Sequence, residues 1–265
     1  NYIEGLFLSS AVFDTPDRTM ELLTETVVRL RKLYNFNGYI HLKGIPGADR
    51  ELMMKAARYA DRMSYNIELP SEKSLRLLAP QKNRDSLLTP MKRLQSAIAC
   101  DRENKVKKGM VLPAGQTTQM IVGASPESDG QILRLTEYLY RRLGLKRVYY
   151  SSYIPVVASP LLPAKPTGLL REPRLYQADW LLRFYGFDVN ELCGEGENLS
   201  EDYDPKCAWA LKNMHLFPVE INTAPLEMLL RVPGIGAKSA YKITEARRFA
   251  KLDFDNLAKM RIVLK

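Results

Sequence analysis

The sequence predicts an α/β protein, a partial or full (β/α) barrel of parallel strands followed by a small all-α domain. Three observations carry this. Strand-like and helix-like segments alternate regularly over residues 1–157. A proline-rich stretch, Val156–Thr167, then interrupts the alternation, and no strand pattern follows it. Near the C-terminus, two apolar-periodic segments are joined through Val232-Pro233-Gly234-Ile235-Gly236, a corner tight enough to need glycine.

In chain order, Gly5–Phe13 reads as a first strand. Thr15-Pro16 then opens a helix with Met20, Leu23, Val27 and Leu30 on one face. Gly38–Lys43 is a second strand, and Asp49 caps a helix running to Ala60. Arg62–Leu69 is a third strand, followed by turns capped by Ser71 and a helix around Leu87–Ala99. A basic loop covers Asp101–Met110. Thr117–Val122 is a fourth strand, the helix bearing Ile132, Leu135 and Leu139 ends at Gly144, and Arg147–Ile154 is a fifth strand. Successive βα units imply a parallel sheet wound by right-handed crossovers. Residues 158–217 read as a linker and helical extension, with helices at Leu170–Tyr185 and Pro205–Met214 around an acidic loop. Residues 218–265 form the final module; Leu257–Lys265 stands where a second hairpin would start but lacks the glycines for one.

The strands carry a second signal. Ser64, Asn66 and Glu68 share one parity, and Met63, Tyr65, Ile67 and Leu69 share the other. Tyr39, His41 and Lys43 likewise oppose Ile40 and Leu42. The apolar parity belongs against the helices, so the polar one faces the barrel interior. A purely structural barrel interior is filled with branched apolar side chains, and buried Asn, Glu, His or Lys is costly without a partner. A wet lumen holding a polar small molecule is therefore expected. The bland alternative is a structural Lys43–Glu68 pair. His41 and Lys43 are the candidate catalytic side chains, His41 as a proton donor.

At the corner, Asn222-Thr223-Ala224-Pro225 reads as a helix start, and Leu226, Leu229 and Leu230 as its apolar face. Pro233 stops that helix. Gly234 and Gly236 allow positive φ around Ile235, and the next helix starts near Ala237, with Lys238 and Lys242 one turn apart. Uncovered amides at a helix start, beside lysines, suit a run of phosphates. The expected nucleic-acid contacts are Pro233, Gly234, Ile235, Gly236, Lys238, Lys242, Arg247 and Arg248, with Lys105, Lys107 and Lys108 of the basic loop as a second anchor. The charge fits such a partner: the chain carries +9 at pH 7, and it is unevenly spread. Nine Lys/Arg stand against five Asp/Glu from Glu220 onward, while Asp188–Asp204 holds seven acidic residues and no basic one.

Cys100, Cys193 and Cys207 lie far apart, with no metal-ligand or disulfide spacing, so no metal site is expected in this chain. They fit reduced thiols in a cytoplasmic protein, and no stretch has transmembrane length. The chain starts at Asn1 without an initiator methionine, which points to a missing N-terminal portion.

Several stretches together resemble one family: Asn1–Ser10, Phe36–Lys43, Met63–Pro70, Gln116–Asp129, Leu175–Gly186 and the glycine corner. The chain is similar to the radical S-adenosylmethionine superfamily, most closely the DNA modification or repair group whose barrel carries a C-terminal helix-hairpin-helix module. The resemblance implies S-adenosylmethionine and a [4Fe–4S] cluster as cofactors, nucleic acid (DNA above all) as partner, and an electron donor. By position, it implies Ser9 and Ser10 near the methionine amino and carboxylate groups, and Asn66 and Glu68 near the ribose and amino moieties. Ile121, Val122 and Gly123 would lie on the adenine side, with Tyr153, Ile154 and Pro155 brushing the ring. The superfamily's CxxxCxxC loop, whose thiolates ligate three irons, is missing from this sequence and is expected N-terminal to Asn1. Two other classes remain: a non-catalytic DNA-binding or scaffold protein with a degenerate barrel, and a glycosylase, for which no catalytic Asp or Lys is evident beside the corner.

Overall fold

The computed structural model describes residues 3–262. Asn1, Tyr2 and residues 263–265, which hold the start of the resemblance and the end of the segment Leu257–Lys265, lie outside them. The chain divides into two compact units. The first runs to Glu127 and resumes over Leu135–Thr167; the second comprises Ser128–Arg134 and the chain from Gly168 onward.

The first unit contains five parallel strands: β1 (Gly5–Leu8), β2 (Tyr39–Lys43), β3 (Arg62–Ser64), β4 (Gly115–Val122) and β5 (Arg147–Ser152), paired in the order β1-β2-β3-β4-β5. Between them lie α1 (Pro16–Lys32), α2 (Arg50–Ala57), α3 (Glu72–Leu78), α4 (Arg84–Glu103) and α5 (Asp129–Leu143). Local capping sets the starts of several helices. Thr15, Asp49, Ser71 and Asn83 each accept amide bonds from the first turn of the helix they precede, and Pro16 sits at the first helical position of α1.

A sequential order with crossovers of one hand puts the connecting helices on one side of the sheet. Burial follows suit: Ile40, Leu42, Met63, Met120, Val122 and Val148 are fully covered. β1 and β5 do not pair with each other, so the five strands form an open sheet rather than the closed ring that a full barrel requires. Five strands are too few for such closure, for which about eight are usual.

Three strands end earlier than expected, β5 by two residues at Ser152 and two others by more. β1 stops at Leu8, and Val12 and Phe13 are exposed. β3 stops at Ser64 because Thr118 enters the ladder with its side chain. Its hydroxyl donates to the Tyr65 carbonyl at 2.7 Å and accepts the Ile67 amide at 3.1 Å. Pairing with β4 resumes at a single bridge, Glu68 to Met120, with Glu68 at φ +62°.

The second unit contains α6 (Arg171–Phe184), α7 (Val189–Leu192), α8 (Pro205–Lys212), a 3₁₀ turn at Met214–Leu216, α9 (Leu226–Arg231), α10 (Ala237–Ala246) and α11 (Phe254–Lys259). Three of the seven acidic residues of the acidic loop are absorbed structurally. Asp188 and Asp204 cap α7 and α8, and Glu191 forms a forked ion pair with Arg231. That pair helps tie the segment expected as a separate linker to the helices after it. Leu229, Leu230, Ile235, Ala240, Ile243, Leu252 and Leu257 form a core shared by α9, α10 and α11.

Candidate functional site

Two regions gather the residues singled out by sequence. The first is the face of the sheet that carries the polar parity. Its register sets Phe7 beside His41, His41 beside Arg62, Lys43 beside Ser64, Ser64 beside Thr117, Gln119 beside Tyr149 and Ile121 beside Ser151. The polar parity is thus collected on one face, while its neighbours Ile40, Leu42 and Met63 are buried on the other.

Partners on that face decide what each side chain is able to do. His41 Nε2 lies 3.1 Å from the Ser64 hydroxyl, and the Phe7 ring meets the imidazole edge-on at 4.8 Å. Burial, assisted by the Arg62 charge, holds His41 down to about 4. It is therefore neutral near pH 7. Glu68 pairs with Lys82 at 2.8 Å, so the structural Lys43–Glu68 pair does not form. Lys43 is half-exposed and makes no ion pair among the described residues.

The expected adenine-side residues lie at the C-terminal ends of β4 and β5. There Ile121, Tyr153, Ile154, Val156 and Leu162 line an apolar cleft of about 480 Å³. Ile154 and Val156 are 68% and 90% exposed. Val122 is buried on the opposite face, and Pro155 is half-exposed in the loop after β5.

Gly123 departs from its expected use. It takes φ +85°, but a Cβ there would fall 2.0 Å from the Thr167 hydroxyl oxygen. Thr167 donates that hydroxyl to the Val122 carbonyl and its amide to the Tyr153 carbonyl. The space left by the glycine is filled by the chain itself, not kept for a ligand. The proline-rich segment accordingly returns to the strand ends rather than leaving the sheet. Ser9 and Ser10 are exposed just beyond β1, and Asn66 is half-buried in the interrupted stretch after β3.

The second region is the glycine corner. Ile235 is buried and anchors it, whereas Pro233 and Gly234 are exposed. Gly234 takes φ +83°, but Gly236, which precedes α10, has φ −85° and ψ 170°, open to any residue. Only the first glycine is conformationally required. The Ala237 amide donates to the Tyr185 hydroxyl at 3.3 Å. The amides of Gly234, Gly236, Lys238 and Ser239 have no partner among the described residues. Lys238, Lys242 and Arg248 are exposed. The Lys242 ammonium reaches the Met260 carbonyl at 3.4 Å, and Arg248 lies 3.7 Å from Glu245.

Two expectations at this corner are corrected. Arg247 is not presented outward: its guanidinium donates to the carbonyls of Ile221 and Ala224 at 2.9 and 2.6 Å, bracing the turn before α9. Asn222 does not cap α9 either. Its side chain bonds both backbone groups of Leu252, which positions the start of α11. Asp253 then caps α11 in a reciprocal box with Asn256, as a capping residue should.

Sequence reasoning missed three residues that the fold brings to the corner. Tyr185 caps Ala237, Lys206 donates to the Ile235 carbonyl at 2.6 Å, and Trp180 lines the same cleft. Burial lowers Lys206 to about 8. The motif at the corner was visible, but none of the three carries a local pattern that links it to residues so distant in sequence.

The basic loop lies elsewhere. Lys105, Lys107 and Lys108 are exposed between α4 and β4, at the N-terminal end of the strands and opposite the end bearing Ile121 and Tyr153. Among the described residues, no group of three or more His, Cys, Asp or Glu is arranged to hold a metal ion. No helix among them is long and apolar enough to cross a membrane. No protein-family model, curated protein or solved structure matches this chain.

Proposed function

We propose that this chain is the nucleic-acid-binding part and much of the partial β/α barrel of a radical S-adenosylmethionine enzyme acting on DNA. The observation that carries the DNA half is the exposed corner. Its unpartnered amides and the Lys238 and Lys242 ammoniums project from a turn that Ile235 and Arg247 hold rigid. Such groups take phosphates without reading bases. The module is in this reading a helix-hairpin-helix.

The barrel half is supported by the sequential parallel sheet and its polar face. The apolar cleft at the ends of β4 and β5 fits a flat heteroaromatic ring such as adenine, with Ile121 and Tyr153 as walls. Bound there, S-adenosylmethionine would supply the source of a 5′-deoxyadenosyl group. The chain's own residues would shield the ring from water and orient it against the strand ends. The chain's cysteines do not fit an iron–sulfur cluster. Cys193 is buried, donates its thiol to the Glu197 carbonyl and is raised to about 11; Cys100 and Cys207 sit on different helices. No radical step is derived from these residues.

The misfit of the cysteines favours a second reading, a DNA-binding protein without catalysis. One pair of measurements separates them. Titration of a duplex at several salt concentrations should give a slope that falls by about one for each of Lys238→Glu and Lys242→Glu, alike for unrelated sequences. An unchanged slope removes the phosphate contact. Calorimetric titration of the same protein with S-adenosylmethionine should detect binding that Ile154→Asp abolishes. Duplex binding with no such signal leaves the non-catalytic reading.

A further inference from the structure

Beside the corner, the second unit holds a cleft of about 370 Å³, within the range of small-molecule sites, about 300–1,000 Å³. Gly234, Ile235 and Gly236 form one wall, so the cleft and the phosphate-accepting turn share backbone. Trp180 also lines the cleft, 52% exposed although it is a large aromatic side chain. The Phe184 ring packs on the indole at 4.4 Å, tilted by 51°. Gln177 also lines the cleft. Its carbonyl oxygen accepts from Arg174, which leaves the amide NH₂ for a ligand. Lys206 is pinned between the Ile235 carbonyl and the Tyr185 ring, and this fixes the wall rather than filling the space.

The charge of the lining selects the kind of occupant. Asp204 is the acidic group among the lining residues, and its Oδ1 already accepts two amides of α8. Lys206 is the cation of the lining and is already engaged by the Ile235 carbonyl and the Tyr185 ring, so the cleft carries no net charge, which suits a neutral planar group better than a phosphate. The cations suited to phosphate, Lys238 and Lys242, lie on α10, which starts where the wall formed by Gly236 ends. An exposed aromatic beside a cationic backbone track is the arrangement that stacks unpaired bases.

We infer that this cleft receives one unpaired nucleobase of a DNA strand whose phosphates are held at the glycine corner, with Trp180 stacking on the base and Gln177 meeting its edge. This rests on the phosphate-gripping role of the corner and adds the class of DNA preferred: duplex with a single unpaired nucleotide over fully paired duplex.

The test uses the full chain and two labelled DNA probes, a paired duplex and the same duplex with a one-nucleotide bulge, titrated by fluorescence anisotropy. The wild type should prefer the bulge by roughly tenfold or more. Trp180→Ala should remove that preference and leave affinity for the paired duplex unchanged, and Trp180→Phe should keep most of it. Indole fluorescence supplies a second readout, because the other tryptophan, Trp209, is only 5% exposed. Quenching by the bulged probe should vanish in Trp180→Ala. Equal wild-type affinity for both probes, a preference that survives Trp180→Ala, or an equal loss for both probes would each overturn the base-binding cleft. In these outcomes the corner still stands if Lys238→Glu weakens paired-duplex binding. Failure of the wild type to bind either probe overturns the corner itself.

Discussion

The polar face of the sheet and the glycine corner both present polar groups, but by opposite means. On the sheet the groups are side chains, and several find one another: His41 meets Ser64, Glu68 takes Lys82, and Arg62 donates to the Ala114 carbonyl, although Thr117 Oγ1 and Arg62 Nε stay buried without a partner among the described residues. At the corner they are main-chain amides, held by a buried Ile235 and a braced Arg247; the Ile235 amide takes the Val232 carbonyl, but those of Gly234, Gly236, Lys238 and Ser239 find no acceptor among the described residues. A side chain on a half-buried face can rotate to satisfy itself, whereas an amide at a rigid turn cannot. The corner thus retains a cluster of unspent main-chain donors, whereas the sheet keeps only scattered side-chain atoms unpaired and adds shape, the apolar cleft at the ends of β4 and β5.

Three perturbations sharpen the contrast, beginning with the largest. Leu229 is fully buried in the core beneath the corner. Leu229→Ala should cost about 2–5 kcal/mol. Chemical denaturation should register the loss, and DNA binding should fall while S-adenosylmethionine titration is unchanged. Loss of both together would show that the two regions do not work independently.

Next come the two glycines. Gly234→Ala places an L-residue at φ +83° and should cost roughly 1–2 kcal/mol. Gly236→Ala puts a Cβ in ordinary contact, 3.5 Å from the Tyr185 hydroxyl, and should leave stability nearly unchanged. Equal costs at both positions in thermal melts would contradict the backbone geometry of the turn.

The smallest effect concerns His41. An unfolded histidine protonates near 6.5, but the folded one resists until about 4. Between these values the unfolded state binds more protons, so the stability present above pH 6.5 should decline as the pH falls toward 4 and then level off. His41→Gln should lack that component, seen as a narrowing gap between wild type and variant in melts across this window. A gap that is constant with pH would mean that the ring titrates normally and that the sheet face is wetter than its packing indicates.

How much was legible beforehand depends on the range of the interaction. The strand alternation, the polar parity and the corner all follow local rules, and all reappear as the parallel sheet, its two-sided burial and the turn at Gly234. Where the ladder was interrupted, the cause was one hydroxyl from another strand, Thr118, which alternation alone does not reveal. The same limit explains Gly123. A glycine after a strand is visible as a demand for close approach, but what approaches, Thr167, is set by the path of a proline-rich loop.

The sequence by itself determined features whose partners lie within a turn or two: the caps at Thr15, Asp49 and Ser71, the amphipathic helices, and the positive φ of Gly234. Only the tertiary structure decided the partners of Glu68, Arg247, Lys206 and Tyr185, which lie 14 to 52 residues away. The physical reason is that a cap or a turn is satisfied by the backbone beside it. A charged or aromatic side chain is claimed instead by whichever distant group the packed core brings within hydrogen-bond reach.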